Sequence, residues 1–265
     1  MLTAGCSLPF GQQATPSPSP SPSAVVSPSP TNFAQGLWVL SPLGIRMHQQ
    51  PDVNATVTGG IPQGENVTAT KFDGAKPGWY LVTYQGAQGW IAQSVPGSSP
   101  AVPLVTTHPQ LSYSSLTAGY YFLYPSSWQV IDKALDVEAD APVPGAPGGA
   151  SLAPSTAPSS ANSPVTVDRL IVHEAKDVDS LGNTPTRPGS LFDNSQVEVY
   201  GITTQRVIYT LSSGGVEVDV KVKIAADRAV LLNFIGVNQK DVDTFNEIMY
   251  SFGVNLPGAS PSPSP

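Results

Sequence analysis

Few side chains in this sequence could do chemistry, and they are widely separated. One cysteine, Cys6, offers a thiol, and three histidines, His48, His108 and His173, offer bases or metal ligands. A lone cysteine excludes an intramolecular disulfide and a zinc site built from several cysteines. No nucleophile elbow, phosphate-binding loop or His-Glu-x-x-His motif occurs. We therefore predict no catalytic residue, no metal site and no cofactor.

Two groups of acidic residues resemble functional sites, a calcium loop and an acid with a basic partner, but neither has the arrangement that such a site needs. Asp136, Glu138 and Asp140 alternate as in a calcium loop, but the sixth and twelfth places of that loop hold alanine and proline. Asp168 is next to Arg169 in a predicted strand, where neighbouring side chains point to opposite faces. Both groups are therefore interpreted as solvated surface.

The distribution of charge limits the class of partner. The 265 residues carry 12 basic and 19 acidic side chains, a net charge of −7. Residues 36–96 are neutral overall, so the acidic excess lies in residues 105–255. No basic stripe is available to follow a phosphate backbone, which argues against nucleic-acid binding. No apolar run of 18 residues exists, so the sequence predicts no transmembrane helix.

The residues around the only cysteine form a motif. Leu2-Thr3-Ala4-Gly5-Cys6 resembles the lipobox of bacterial lipoproteins, in which small residues precede a cysteine that receives a diacylglyceryl group. The resemblance implies lipid attachment at Cys6, a membrane anchor and an extracytoplasmic place in the cell envelope. The alternative is that Cys6 is a small buried hydrophobe. A basic, then apolar, leader is missing, so either Met1 is a misplaced start or the chain has been trimmed.

Three segments rich in proline divide the chain. Residues 7–35, 141–164 and 256–265 contain 17 of the 28 prolines and no charged side chain. Such composition cannot bury a core, so we expect a tether in the first segment and disorder in the other two. The predicted organisation is a lipobox remnant at 1–6, a Ser/Pro-rich tether at 7–35, a barrel at 36–96, a linker at 97–110, an α+β domain at 111–255 with a disordered insertion at 141–164, and a disordered tail at 256–265.

Short strands separated by turn residues fill the first domain and predict a small all-β barrel. The expected strands are Leu37–Leu40, Ile45–His48, Ala55–Thr58, Asn66–Phe72, Trp79–Tyr84 and Gly89–Ala92. The order Ile45-Arg46, Pro51, Gly64 to Val67, Gly78-Trp79 and Gly89-Trp90-Ile91 resembles the bacterial SH3 family. This SH3-like resemblance covers about 60 residues and implies a binding module for cell-wall peptides or glycans, or for proteins.

Aromatic residues of the barrel are the candidate ligand contacts. Trp38, Tyr80 and Tyr84 are predicted to bind the ligand, with filling or capping of the barrel as the alternative. Trp79 and Trp90 are predicted to fill the core, because a barrel this small needs large side chains.

The second domain is predicted to be an antiparallel sheet with one C-terminal helix, an α+β arrangement. In Val216–Ile224 the valines and Ile224 alternate with Glu217, Asp219 and two lysines, which predicts one core face and one water face. A helix is expected from the N-cap Asn238 to a stop at Gly253, with an apolar face. That face contains Val242, Phe245, Ile248, Met249 and Phe252.

Two motifs at the ends of this domain resemble the PsbP-like group. They are Phe122-Leu123-Tyr124-Pro125-Ser126-Ser127-Trp128 near its start and Phe245 to Ser251-Phe252 at its end. The resemblance implies an accessory or envelope protein without a shared catalytic constellation. The alternative is that these aromatic residues are simply core.

Together these features predict a multidomain protein, a lipid-anchored bacterial lipoprotein that recognises cell-wall material or another envelope protein through its SH3-like module. An alternative is an envelope enzyme with a site in the C-terminal domain, targeted by that module. A third hypothesis is a structural spacer.

Overall fold

The protein is described by a computed structural model over most of its two sheet-forming regions. The described residues are 33–115, 118–133, 136–140, 165–181 and 187–254. Cys6, all but the last three residues of the predicted tether, the insertion at 141–164 and the tail at 256–265 lie outside them, so the predictions for those segments stay predictions. The described residues belong to one compact unit that begins at Phe33.

The N-terminal region folds into a seven-stranded antiparallel sheet in the order β3-β2-β6-β5-β4-β1-β7. Its strands are β1 Gln35–Val39, β2 Ile45–His48, β3 Val57–Ile61, β4 Asn66–Asp73, β5 Trp79–Tyr84, β6 Ala87–Ala92 and β7 Val105–Thr106. Two of the predicted strands, β2 and β5, have the predicted bounds. The strand predicted at Ala55–Thr58 is observed at Val57–Ile61, because residues 49–56 form a loop.

The last strand of this sheet lies in the segment predicted as a linker. Val105 pairs with Val39 and Thr106 with Trp38, so residues from 97–110 extend the sheet at its edge. A strand of two residues is too short to produce a recognisable alternation of apolar and polar side chains in the sequence. The core of the sheet contains Leu37, Val39, Ile45, Met47, Ile61, Val67, Ala69, Tyr80, Val82, Ile91 and Val105.

The C-terminal region contains a second seven-stranded antiparallel sheet in the order β10-β11-β12-β16-β15-β14-β13. Its strands are β10 Gln129–Lys133, β11 Asp136–Asp140, β12 Arg169–Ala175, β13 Gly189–Val199, β14 Ile202–Leu211, β15 Val216–Ala225 and β16 Arg228–Gly236. A third sheet, in the order β17-β9-β8, contains β8 Gln110–Ser115, β9 Tyr120–Pro125 and β17 Gly253–Val254. The carboxylate-bearing residues that resembled a calcium loop are thus alternate residues of β11.

One α-helix, α1 Val242–Ser251, is present among the described residues and packs on the second sheet. A 3₁₀ turn, Gln239–Asp241, precedes it, and the Asp241 carboxylate accepts the Asn238 N–H at 2.6 Å. The predicted apolar face of the helix is buried. Phe245 packs on Phe234 of β16 with ring centroids 5.5 Å apart, so the main core lies between the helix and the sheet.

Gly253 was predicted to end the helix as a C-cap glycine, but it has a different role in the structure. Gly253 does not adopt the left-handed conformation of a helix C-cap, because it lies in β17 and pairs with Tyr121 of β9. A Cβ at this position would overlap the Tyr121 ring, so close packing against an aromatic ring requires the glycine.

The water face predicted for β15 is partly wrong. Glu217 is fully buried and Asp219 is 3% exposed. A small cluster of Leu181, Ala229 and Leu231 is buried beside them, away from the main core. The chain between β12 and β13 therefore covers part of a face that the strand alone presents to solvent.

Candidate functional site

The three aromatic residues predicted to bind a ligand point to different sides of the barrel sheet. Trp38 is half-buried and faces away from the core, because its neighbours Leu37 and Val39 face into it. Tyr80 lies in the core, where burial raises the pKa of its phenol, and Tyr84 packs half-buried against the same core. The structure does not bring the three together on one face, so ligand binding by each of them stays a prediction.

Tyr80 belongs instead to a cluster of three rings at the edge of the core. Its ring lies 4.8 Å from that of Phe72, and Phe33 stacks on both with centroid distances of 6.4 Å. Phe72 is 46% exposed and Phe33 is 37% exposed. The cluster fastens the first described residues to the barrel.

A pair of residues on the outer side of the sheet forms the centre of a more concave site. Ile45 and Met47 fill the core, so the alternate residues of β2, Arg46 and His48, face outward. Trp79 of β5 faces the same way, because its neighbour Tyr80 points inward. The strand order places β6 between these two strands and thus brings the outward side chains side by side.

The His48 imidazole is held in one orientation. Its Nδ1 lies 3.0 Å from the carbonyl oxygen of Ala55, and a carbonyl can only accept, so Nδ1 carries the hydrogen. The neutral ring therefore presents Nε2 as an acceptor. The ring also packs edge-on against the Trp79 indole, with centroids 5.6 Å apart and planes at 84°.

Two loops build walls around this pair. The loop after β2 is closed by the Gln49 N–H, which donates to the Thr56 carbonyl at 2.8 Å. The chain after β6 folds back on itself, since the Val95 N–H donates to the Val102 carbonyl and the Leu104 N–H to the Gln93 carbonyl, both at 2.9 Å. These bonds close each loop on itself, and both loops contribute residues to the same cavity.

The result is a cavity of about 240 Å³ on the outer side of the barrel, called here the barrel cavity. Most of its wall is apolar, and Arg46 supplies its only charge that is present at every physiological pH. Among the partly exposed residues, Val53 and Val95 form apolar parts of the rim. The lining residues are Gly44, Ile45, Arg46, His48, Val53, Trp79, Ala92, Val95, Pro96 and Leu104.

The barrel cavity was not predicted from the sequence, although the strand patterns place some of its residues on one face. Alternation in β2 places Arg46 and His48 on one face, and alternation in β5 places Trp79 opposite Tyr80. Trp79 is buried, as predicted, but outside the barrel core, and Trp90 is only half-buried. No local sequence pattern predicts that the chain after β6 turns back toward Trp79.

A second cavity, of about 350 Å³, lies in the C-terminal region and is called here the C-terminal cavity. The turn at residues 125–128 forms one side, held by the Ser126 N–H, which donates to the Pro109 carbonyl at 2.8 Å. The lining residues are His108, Pro109, Pro125, Ser126, Ser127, Trp128, Asp168 and Thr244.

Asp168 is the carboxylate of the C-terminal cavity. Its Oδ1 accepts the Val237 N–H at 2.8 Å. Desolvation by burial raises the pKa of Asp168 above its ordinary value, and the charge and hydrogen bond of the Asp241 side chain raise this pKa further. The Val237 hydrogen bond opposes the shift without cancelling it.

His108 does not form a catalytic relay with its polar neighbours. Its Nδ1 lies 3.2 Å from Glu247 Oε2 and 3.3 Å from Thr106 Oγ1. The Thr106 hydroxyl donates to Glu247 Oε1 at 2.8 Å. A hydrolytic triad needs the nucleophile and the carboxylate on different ring nitrogens. Here both contact the same nitrogen, so this trio can position the imidazole but does not activate the threonine.

Comparison with known proteins bears on the segment that contains the barrel cavity. Residues 43–96 match the bacterial SH3 domain. The matched segment starts after β1 and ends after β6, so it contains both β2 and β5. No curated protein matches the chain.

Two solved structures are similar to part of the chain. A crystal structure of a protein from Bacteroides thetaiotaomicron matches with 10% identity and a TM-score of 0.36, over 56% of this chain and 49% of the other. The chain thus spans about half the length of that protein. The solution structure of cyanobacterial PsbP from Synechocystis matches with 13% identity and a TM-score of 0.36, over 55% of this chain and 92% of the other.

Two features of the described residues concern metals and membranes. Within the described ranges, no three His, Cys, Asp or Glu side chains are grouped so as to hold a metal ion. In the same ranges, no helix is long and apolar enough to cross a membrane.

Proposed function

We propose that this protein is a lipid-anchored protein of a bacterial envelope whose bacterial SH3 segment binds cell-wall peptide or glycan, or another envelope protein. One observation carries the proposal. All residues that line the barrel cavity, except Leu104, lie within the matched residues 43–96. Bacterial SH3 domains commonly bind cell-wall components, so the concave site and the matched segment support the same role.

The barrel cavity favours a ligand with both apolar and anionic parts. Trp79 and the valines of the rim offer apolar surface, while the exposed Arg46 guanidinium pairs with carboxylates through two parallel hydrogen bonds. His48 Nε2 accepts a hydrogen bond from an amide or a hydroxyl. A short peptide with a free carboxylate satisfies all three, which makes a cell-wall peptide the preferred ligand.

Retention of the full chain on purified peptidoglycan tests this proposal. Arg46→Ala should weaken retention about tenfold, because it removes the cation of the barrel cavity. Val53→Asp should weaken it as well, since a carboxylate on the rim repels an anionic ligand. Lys71→Ala is the matched control, because it removes an exposed positive charge from β4. Equal retention of the Arg46 and Lys71 variants would contradict the proposed site.

The lipid anchor is tested separately. Ser/Pro-rich sequences favour an extended conformation of about 3.1 Å per residue. We expect the tether at 7–35 to hold the barrel away from a membrane for this reason. In the full precursor, Cys6→Ser should move the protein from the membrane fraction to the soluble fraction. Continued membrane association of this variant would contradict attachment through Cys6, without bearing on ligand binding by the barrel cavity.

A further inference from the structure

The C-terminal cavity contains the Asp168 carboxyl group and, among its described lining residues, one imidazole, that of His108. This site is independent of the barrel cavity and its proposed ligand. None of the described residues that line it is Lys or Arg. Asp168 contributes a carboxylate, and Glu247 makes the surroundings of His108 more negative through its contact with Nδ1. A ligand that enters this cavity therefore meets negative potential, which favours a cation.

An aromatic wall accompanies this charge. Trp128 is 7% exposed, and its ring stacks on Phe234 with centroids 6.4 Å apart and planes at 7°. Phe234 in turn packs on Phe245 of the helix, so the main core fixes the indole in place. Indole rings attract cations through their negative faces, most strongly where water is excluded.

The remaining walls are rigid and offer hydroxyl groups. Pro109 and Pro125 have fixed φ angles. Two hydrogen bonds hold the turn at residues 125–128, because the Ser126 N–H donates to the Pro109 carbonyl and the Trp128 N–H donates to the Pro125 carbonyl. Ser126, Ser127 and Thr244 provide hydroxyls that can accept from an N–H group. A site that is ordered before binding loses little entropy when a ligand enters.

These features select an organic ammonium over a metal ion. Hard divalent cations require several oxygen ligands, usually more than one carboxylate. Asp168 is the only carboxylate among the lining residues, and the Asp241 carboxyl hydrogen-bonded to it brings the number of carboxyl groups to two. No cluster of three potential metal ligands occurs in the described parts of the chain. An ammonium group needs one carboxylate, and its carbon chain can pack on the indole. The volume of about 350 Å³ is within the usual range for small-molecule sites.

We propose that the C-terminal cavity is a binding site for a small organic cation with a primary ammonium group. Asp168 pairs with the ammonium nitrogen, Trp128 packs against the attached carbon atoms, and the hydroxyls of the turn and of Thr244 accept the remaining N–H groups. The site lies in the part of the chain that carries the acidic excess.

Titration of the full chain with n-butylammonium, followed by NMR through the Trp128 indole N–H signal, tests the site. The indole signal should shift progressively with n-butylammonium, and 1-butanol, which is of similar size but uncharged, should bind at least tenfold more weakly. Asp168→Asn keeps the acceptor for the Val237 N–H and should reduce affinity about tenfold or more. Asp227→Asn, which removes a charge from an exposed turn, should leave affinity unchanged.

A second variant guards against a folding defect in the first. Thr244→Leu suits the helix and fills part of the cavity, so it should also weaken binding of n-butylammonium. Equal affinity for the ammonium and the alcohol would overturn the assignment to a cation. An unshifted indole signal in the unaltered protein, or undiminished affinity in a well-folded Asp168→Asn variant, would overturn the site itself.

Discussion

At the scale of single residues, Asp168 is a carboxyl group whose place in the fold lowers the stability of the folded chain. Its carboxyl is desolvated and lies beside the like charge of Asp241, which together raise its pKa. A group held in this way destabilises the folded chain once it ionises. Such residues are common where a protein binds a ligand of opposite charge.

We predict that Asp168→Asn stabilises the protein in a pH-dependent manner. Below the ordinary pKa of 3.8, Asp168 is protonated in both the folded and the unfolded chain, so the variant should melt close to the unaltered protein. As the pH rises through the higher folded pKa, the unaltered protein loses stability and the variant does not. Thermal melts from acid to neutral pH measure this divergence.

Asp227→Asn is the control for this series, because Asp227 lies exposed in the turn before β16. Its melting temperature should follow that of the unaltered protein. A constant offset between Asp168→Asn and the unaltered protein at every pH would contradict the proposed electrostatic cost.

At the scale of elements, the pair β15 and β16 has a buried polar centre outside the main core. Asn233 is 1% exposed, and its Nδ2 donates to Glu217 Oε1 at 2.9 Å and to Asp219 Oδ1 at 2.7 Å. The Arg187 N–H also donates to Glu217 Oε2, at 3.2 Å. One amide group thus connects two buried carboxylates.

We predict that Asn233→Ala destabilises the protein by about 3 kcal/mol, because it removes two hydrogen bonds to buried charged groups. Urea unfolding measures the loss. Asn194→Ala, at an exposed position of β13, should cost less than about 0.5 kcal/mol. Similar losses for the two variants would show that the buried amide has no special role.

The same strands show what the sequence could and could not predict. Alternation located β15 well, because a period of two is a property of the strand itself. It could not reveal that Glu217 and Asp219 are buried, since the covering residues come from a different part of the chain. Likewise, the helix face from Val242 to Phe252 followed from its spacing, whereas the pairing of Gly253 with Tyr121 depends on a strand more than 120 residues away.

The candidate sites were harder to predict than the fold for a related reason. The strand patterns placed His48 and Trp79 on definite faces, but the barrel cavity also needs Val53 and Leu104 from separate loops. The C-terminal cavity combines His108, Asp168 and Thr244, which are far apart in sequence. Periodicity within one strand or helix carries no information about which residues of distant segments line the same cavity.

At the scale of the whole molecule, one amide group joins the barrel to the C-terminal helix. Gln63 Nε2 donates to the carbonyls of Leu40 and Ser251, each at 2.7 Å. The Ser251 hydroxyl donates to the Ile248 carbonyl at 2.7 Å and accepts the Leu123 N–H at 2.8 Å. The barrel, the helix and β9 therefore meet in a continuous hydrogen-bonded junction.

We predict that Gln63→Leu lowers stability by about 2 kcal/mol, since each lost hydrogen bond contributes about 1 kcal/mol. Urea unfolding followed by tryptophan fluorescence, which reports on both regions, should show a lower midpoint. Gln88→Leu, at an exposed position of β6, is the control and should change the midpoint little. An unchanged midpoint in Gln63→Leu would mean that the junction is incidental to stability.

The position of β1 determines how the barrel responds to mechanical force. A pull on the chain before Phe33 enters the barrel at the start of β1, which is bonded to β4 on one side and to β7 on the other. Hydrogen bonds between antiparallel strands run perpendicular to the strands. Traction along β1 therefore shears its bonds together, instead of opening them one after another, and this geometry resists extraction of the strand.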